Sequence, residues 1–230
     1  MEEEREVDYL EPETQAKVYS SIAEINLIET LNNLMSSLTE EIRAALSMVE
    51  KAKGGTAAEV DASLQSVREL KENIENYKDK AMEYLVRLPA GLIMKDTFMP
   101  IVLGISNAAQ YVDGSCYRLG VLAKRGKAHE ELVLETQELL NLLLEQAERL
   151  AKAARVVTEP KMAMKYVNES IGLEDEIDRA YRSKLMDVLE GSKDCASAVL
   201  SWEILGNLED ASDILKDVAE NLKYFLMHKV

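Results

Sequence analysis

Very little in this chain of 230 residues can staple, break or anchor it. Two cysteines are too few for a disulfide framework or a thiolate metal site, so Cys116 and Cys195 read as small buried side chains. Four prolines and ten glycines leave few places to turn, which argues against both a strand-and-turn architecture and a disordered chain. There are two histidines, and the residues three before His129 and His228 are Gly126 and Phe225. The paired Glu-x-x-His signature of a di-iron oxidase is therefore missing, and both histidines are expected at exposed loop or terminal positions. No run reaches the roughly 18 to 20 apolar residues that span a bilayer. The start, Met-Glu-Glu-Glu-Arg-Glu, is the opposite of a basic signal-peptide start, so a soluble, cytoplasmic protein is expected. Basic residues number 27 against 42 acids, a net charge of −15. That balance excludes a nucleic-acid backbone as a natural partner and favours bound cations or a basic protein surface.

What is present is helical periodicity. Val18, Ile22, Ile25, Leu31, Leu38, Ile42, Leu46 and Val49 recur at helical spacing until Gly54-Gly55. Thr56 with Glu59 makes a capping-box pattern ahead of a second stripe of Val60, Leu64, Val67, Ile74, Ala81, Leu85 and Leu88, which ends at Pro89. A third helix is predicted over 96–124, with Pro100 in its first turn and a stop at Lys124-Arg-Gly-Lys127. A leucine-rich fourth covers 129–157, a fifth covers 161–190 up to Gly191-Ser192, and a sixth starts near Lys193. Six helices of about 30 residues with short breaks predict an all-α fold of two tandem three-helix bundles. The expected organisation is an acidic tail over 1–12, a first bundle over 13–126 and a second over 127–230.

Chemistry shows in one region, 167–220, where Glu-x-x-x-Asp occurs twice: Glu174 with Asp178, and Glu209 with Asp213. Val167, Ile171, Glu174, Asp178, Tyr181, Leu185 and Val188 follow a four-three alternation, which puts the first two acids where a packing helix wants apolar side chains. Paired acids on a seam repel, and burying one unpaired costs several kcal/mol, about the penalty for an isolated buried polar or charged group. A cation shared between two such helices offsets that cost, and all-oxygen ligation suits magnesium, manganese, calcium or ferric iron. The plainer alternative is a solvated face in which Asp178 pairs with Arg182 and Asp213 with Lys216. The second apolar stripe, Leu205, Leu208, Ala211, Leu215, Val218, Leu222 and Phe225, runs beside Glu209 and Asp213 rather than through them. Trp202 reads as a core or inter-bundle packing residue, and Tyr181 as a core tyrosine whose hydroxyl reaches out.

The two halves repeat at about one hundred residues. Ile105-Ser-Asn-Ala-Ala-Gln-Tyr-Val-Asp113 lies over Leu205-Gly-Asn-Leu-Glu-Asp-Ala-Ser-Asp213, so Asp113 matches Asp213 while Ala109 stands where Glu209 does. At an offset of ninety-nine Glu75 and Asp79 match Glu174 and Asp178. An offset of one hundred puts Ile74 and Lys78 there instead, so the first-half pair is placed only to within one residue.

The segment Ile171-Gly-Leu-Glu-Asp-Glu-Ile-Asp-Arg-Ala180, together with Leu205 to Asp213 and the repeat, resembles the PhoU-like proteins, especially their divergent branch of phosphate transport regulators. The resemblance implies two three-helix bundles side by side and carboxylate-bound divalent or trivalent metal: iron, zinc, manganese or magnesium. It also implies a non-enzymatic role in phosphate homeostasis, beside a membrane phosphate transporter or its cytoplasmic components. By position the ligands it implies are Glu174, Asp178, Glu209 and Asp213, with Asp113, Glu75 and Asp79 as a depleted first set. Two other readings stay open: a metal-free scaffold bundle that oligomerises through apolar faces, and a carboxylate-metal enzyme built on the same acids.

Overall fold

A computed structural model describes residues 12–88 and 93–228, with side chains at 22–88 and 95–228. The acidic N-terminal stretch before Pro12 and the break at Pro89 and Gly91 lie outside the described residues. Six helices follow in order: α1 (Pro12–Gly54), α2 (Ala57–Arg87), α3 (Ile93–Lys124), α4 (Glu130–Arg155), α5 (Pro160–Glu190) and α6 (Cys195–Met227). No strand occurs among the described residues.

Local chemistry sets the helix ends. Thr56 closes the capping box as predicted: its hydroxyl accepts from the Glu59 N–H, and the Glu59 carboxylate accepts from the Thr56 N–H at 2.8 Å. Asp194 caps α6 through the Ser197 N–H. At the end of α3, Gly126 takes φ of 64°, and Lys127 N–H reaches the Leu122 carbonyl while Gly126 N–H reaches Ala123. That paired closure needs the left-handed residue which only glycine supplies cheaply.

Three expectations shift. His129 is not an exposed loop residue; its Nδ1 accepts from the Leu132 N–H at 3.3 Å and its side chain is largely covered as the N-cap of α4. His228 is exposed, against the Tyr224 ring. Cys195 is exposed on the first turn of α6, whereas Cys116 is buried. Pro100 lies inside α3 rather than in its first turn, because the helix already runs from Ile93. The buried Phe98, Ile101 and Val102 around it provide packing that offsets the lost backbone hydrogen bond.

Within each set of three, consecutive helices pack antiparallel: Lys51 pairs with Glu59, Lys124 with Asp61, Lys184 with Glu135, and Lys223 Nζ donates to Asn168. α1, α2 and α3 contact one another, as do α4, α5 and α6; the two sets meet where α3 lies along α6 and α1 along α4. The α3–α6 pairing is antiparallel and the most extensive in the molecule. Ser115 donates to the Ile204 carbonyl at 3.0 Å and Arg118 pairs with Glu203. Gly104 makes the close approach possible, since a Cβ there would stand 2.5 Å from Val218 Cγ2. α2 and α5 are thus outer helices, and one continuous apolar core takes side chains from all six. In α2 the buried positions Val60, Val67, Ile74 and Ala81 recur every seven residues, the seam of a coiled-coil-like contact. In α1 the buried line runs through Ala23, Leu27, Leu31, Leu34 and Leu38, so Ile22 and Ile25 face solvent instead of the core.

Candidate functional site

The α5–α6 seam brings the four second-half acids into one electrostatic group. Glu174 sits on α5 at only 9% exposure, between the buried Leu173 and Ile177, as the four-three alternation requires. Asp178 follows one turn on, half-buried. From α6, Asp213 comes within hydrogen-bonding reach of Glu174, and Glu209 lies in the field of Asp213, Asp210 and Asp178. The apolar stripe of α6 is buried throughout, from Leu205 to Phe225, and Glu209 and Asp213 flank it. Burial is the chief reason that the Glu174 carboxyl titrates above the usual range, with the Lys216 ammonium pulling it back. Burial also raises Glu209, and the neighbouring acids raise it further.

Two cations of the chain itself enter this seam. Lys216 Nζ stands 2.9 Å from Glu174 Oε2, and Arg182 Nε stands 2.7 Å from Asp178 Oδ1. The Arg182 pairing is the one the spacing predicts. Lys216 differs: it crosses to Glu174 on α5 rather than closing on Asp213 within its own helix, because the deeper acid offers the stronger field. Both contacts are close in distance yet poorly aligned, and neither Glu174 Oε2 nor Asp178 Oδ1 gains a hydrogen bond. Among the described residues no three Asp, Glu, His or Cys side chains are arranged to hold a metal ion. The donor chemistry, carboxylates with two buried under-satisfied oxygens, fits a hard cation. The arrangement as it stands is one in which Lys216 and Arg182 supply the positive charge.

The first-half residues reproduce this group only in part: Asp113 lies in the field of Glu75, while Asp79 stands away from them. Glu75 pairs with Lys71 at 2.9 Å. Asp113 is half-buried, its carboxyl raised by burial and lowered by Arg68 and Lys71, and it lines a cavity of about 260 Å³ with Asp61, Arg68 and Lys124. Asp79 is separate from both: its side chain is 70% exposed, it pairs with Lys78, and it faces Met82, Val86 and Arg87. The one-residue ambiguity of the repeat explains this, since Glu75 follows the α2 seam residue Ile74 while Asp79 falls on the solvent side.

An acid that sequence reasoning passed over lies in this half. Glu41, on α1, is fully buried at 0% exposure, and neither carboxyl oxygen has a hydrogen-bond partner. Its carboxyl titrates well above the ordinary range, first from burial, then from Asp113, with Lys71 opposing and Glu75 adding to it. The signal was available: Glu41 stands beside Ile42 between the core positions Leu38 and Ala45, an acid on an apolar face just as Glu174 is.

Trp202 also departs from expectation. It is 55% exposed rather than packed in the core, and its Nε1 donates to the Tyr181 hydroxyl at 3.1 Å. Tyr181 is half-buried, with its hydroxyl reaching outward as predicted.

No family model and no curated protein matches the sequence. Solved structures do match. PhoU from Pseudomonas aeruginosa superposes with a TM-score of 0.74 at 15% identity, over 91% of this chain and 99% of that one. A PhoU-like phosphate regulatory protein from Shewanella oneidensis MR-1 gives 0.72 at 11% identity, over 89% and 100%. A PhoU-like protein from the same organism gives 0.73 at 11%, over 88% and 99%. Six antiparallel helices in two sets of three, joined along α3 and α6, are the PhoU-like fold.

Proposed function

We propose that this protein is a cytoplasmic, non-enzymatic regulator of phosphate homeostasis, which docks on a membrane phosphate transporter or its cytoplasmic components and takes a carboxylate-bound metal ion on the α5–α6 seam. The likeness over nearly the whole chain to PhoU and to a protein named as a PhoU-like phosphate regulatory protein supports the regulatory part. The convergence of Glu174, Asp178, Glu209 and Asp213 from two adjacent helices carries the metal part. No described helix is long and apolar enough to cross a membrane, in keeping with a protein that acts at a transporter's surface. When bound, a hard cation would supply the positive charge now shared by Lys216 and Arg182. Glu174 and Asp213, which come within hydrogen-bonding reach of each other, would hold it, with Asp178 and Glu209 beside them.

The ion pairs to Lys216 and Arg182 favour a second reading, a scaffold bundle that neutralises its own acids and needs no metal. Elemental analysis separates the two. Wild type is compared with Glu174→Ala/Asp178→Ala/Glu209→Ala/Asp213→Ala and with Lys216→Met, after circular dichroism verifies that each folds. Stoichiometric metal that is absent from the quadruple variant, with about tenfold tighter manganese binding in Lys216→Met, is the expected result. Negligible metal in all three after loading, with partner binding untouched by Glu174→Ala and Asp213→Ala, leaves the scaffold reading.

A further inference from the structure

Beside the acid seam, on the outer side of α6, an open groove of about 410 Å³ runs from Val199 past Trp202 to Asp210, with Tyr181 of α5 as its far wall. Its floor is apolar. Trp202, the sole tryptophan, is 55% exposed and Val199 is 46% exposed, outside the stripe from Leu205 to Phe225 that α6 buries. The indole is held in place by its hydrogen bond to Tyr181, so the floor is a fixed surface and not a loose side chain. Three acids, Glu203, Glu209 and Asp210, edge the groove, and no lysine or arginine lines it. Arg118 pairs with Glu203 from the α3 side, and Arg182 lies near Glu209 from α5, which leaves Asp210 as the acid with no cation close to it.

A fixed aromatic floor with an acidic edge recognises a particular chemistry. An apolar side chain of the partner removes the tryptophan from water, and flanking ammonium or guanidinium groups meet the carboxylates or stack on the indole face. A second copy of this chain brings the same acids and a charge of −15, so self-association meets repulsion here. We infer that this groove docks a Lys/Arg-rich polypeptide segment that inserts an apolar side chain between Val199 and Trp202. The inference deepens the docking half of the regulator reading and rests on it for biological context, while the binding itself is independent of any metal.

Because Trp202 is the only tryptophan, its emission reports on this groove alone. The full chain, in a chelating buffer, is titrated with three synthetic peptides of equal length that alternate Lys with Leu, Lys with Ser, and Glu with Leu. The Lys/Leu peptide is expected to shift the emission to the blue with saturation, the Lys/Ser peptide to bind about tenfold more weakly, and the Glu/Leu peptide to give no shift. Val199→Ser and, separately, Glu209→Gln/Asp210→Asn should each weaken Lys/Leu binding by about fivefold to tenfold. Glu72→Gln/Asp79→Asn, the same charge change on α2, should leave it at the wild-type value. No emission shift with the Lys/Leu peptide overturns the inference. So does an equal loss in the α2 control, which would assign the attraction to the whole molecule's field. A blue shift that grows with protein concentration alone would assign the groove to a second copy and also overturn it. Retained peptide binding with no binding to any phosphate transporter component would remove the regulator reading and leave this one standing.

Discussion

Glu41 is the residue whose placement is hardest to reconcile with the chemistry of its side chain. It occupies a core position of α1, faces Asp113 from α3 with Lys71 and Glu75 from α2, and has no hydrogen bond for either oxygen. A carboxyl in that setting is held neutral. Its folded pKa lies above the unfolded value of about 4.3, so folding takes up a proton. The stability this residue allows is fully present below that unfolded value and declines as pH rises toward the folded pKa, by up to about 1.4 kcal/mol per pH unit. Glu41→Gln removes the titration and keeps the shape. Urea unfolding should therefore show the variant close to wild type at pH 4 and more stable at pH 8, with the gap widening between. A gap that stays constant across that range would mean that Glu41 is ionised in the fold and paired. At the same scale, Glu174 shows why spacing identified one buried acid and missed another: its periodic context repeats an acid four residues on, whereas four residues after Glu41 stands Ala45 and no motif forms.

At the scale of elements, the α3–α6 contact decides whether two sets of three helices become one molecule. Gly104 faces α6 closely, and a methyl group there would meet Val218 Cγ2 at 2.5 Å. Alanine favours a helix over glycine by about 1 kcal/mol, but a clash with a buried, β-branched side chain costs about 1–3 kcal/mol. Gly104→Ala is expected to lower the melting temperature by about 2–4 °C, near 1 kcal/mol for a chain of this size. Val218→Ala in the same chain should recover part of that loss, a non-additivity that a double-mutant cycle reads directly. Higher stability in the single variant would mean that the helices move apart freely. The repeat was legible here in the alignment of Asp113 with Asp213, but the glycine was not, because nothing in the sequence says which face of α3 meets α6. The start of the α1 stripe was misjudged for a similar reason: Ile22 and Ile25 are apolar and helically spaced, yet the line through Ala23 and Leu27 is the one its neighbours cover, while Leu31, Leu38, Ile42 and Val49 are buried as expected.

For the whole molecule, an excess of negative charge opposes the compact state. The net charge is −15, and most of the ion pairs lie on the surface, where each contributes little. Salt is therefore expected to relieve more repulsion among the acids than the attraction it takes from the pairs. Raising sodium chloride from low to physiological concentration should raise the melting temperature, by about 2–4 °C for each kcal/mol of repulsion screened. A decrease would show that attraction within the ion pairs exceeds the repulsion among the acids.

Composition and periodicity by themselves determined that this chain is helical, where it breaks, and that Glu174 stands on a packing face, because helix propensity, capping and the 3.6-residue period are local. Tertiary structure alone decided which helices meet. It sent Lys216 to Glu174, left Asp79 in solvent, buried Glu41 and turned Trp202 outward, since each outcome depends on which neighbour covers a given face and how much water that neighbour excludes.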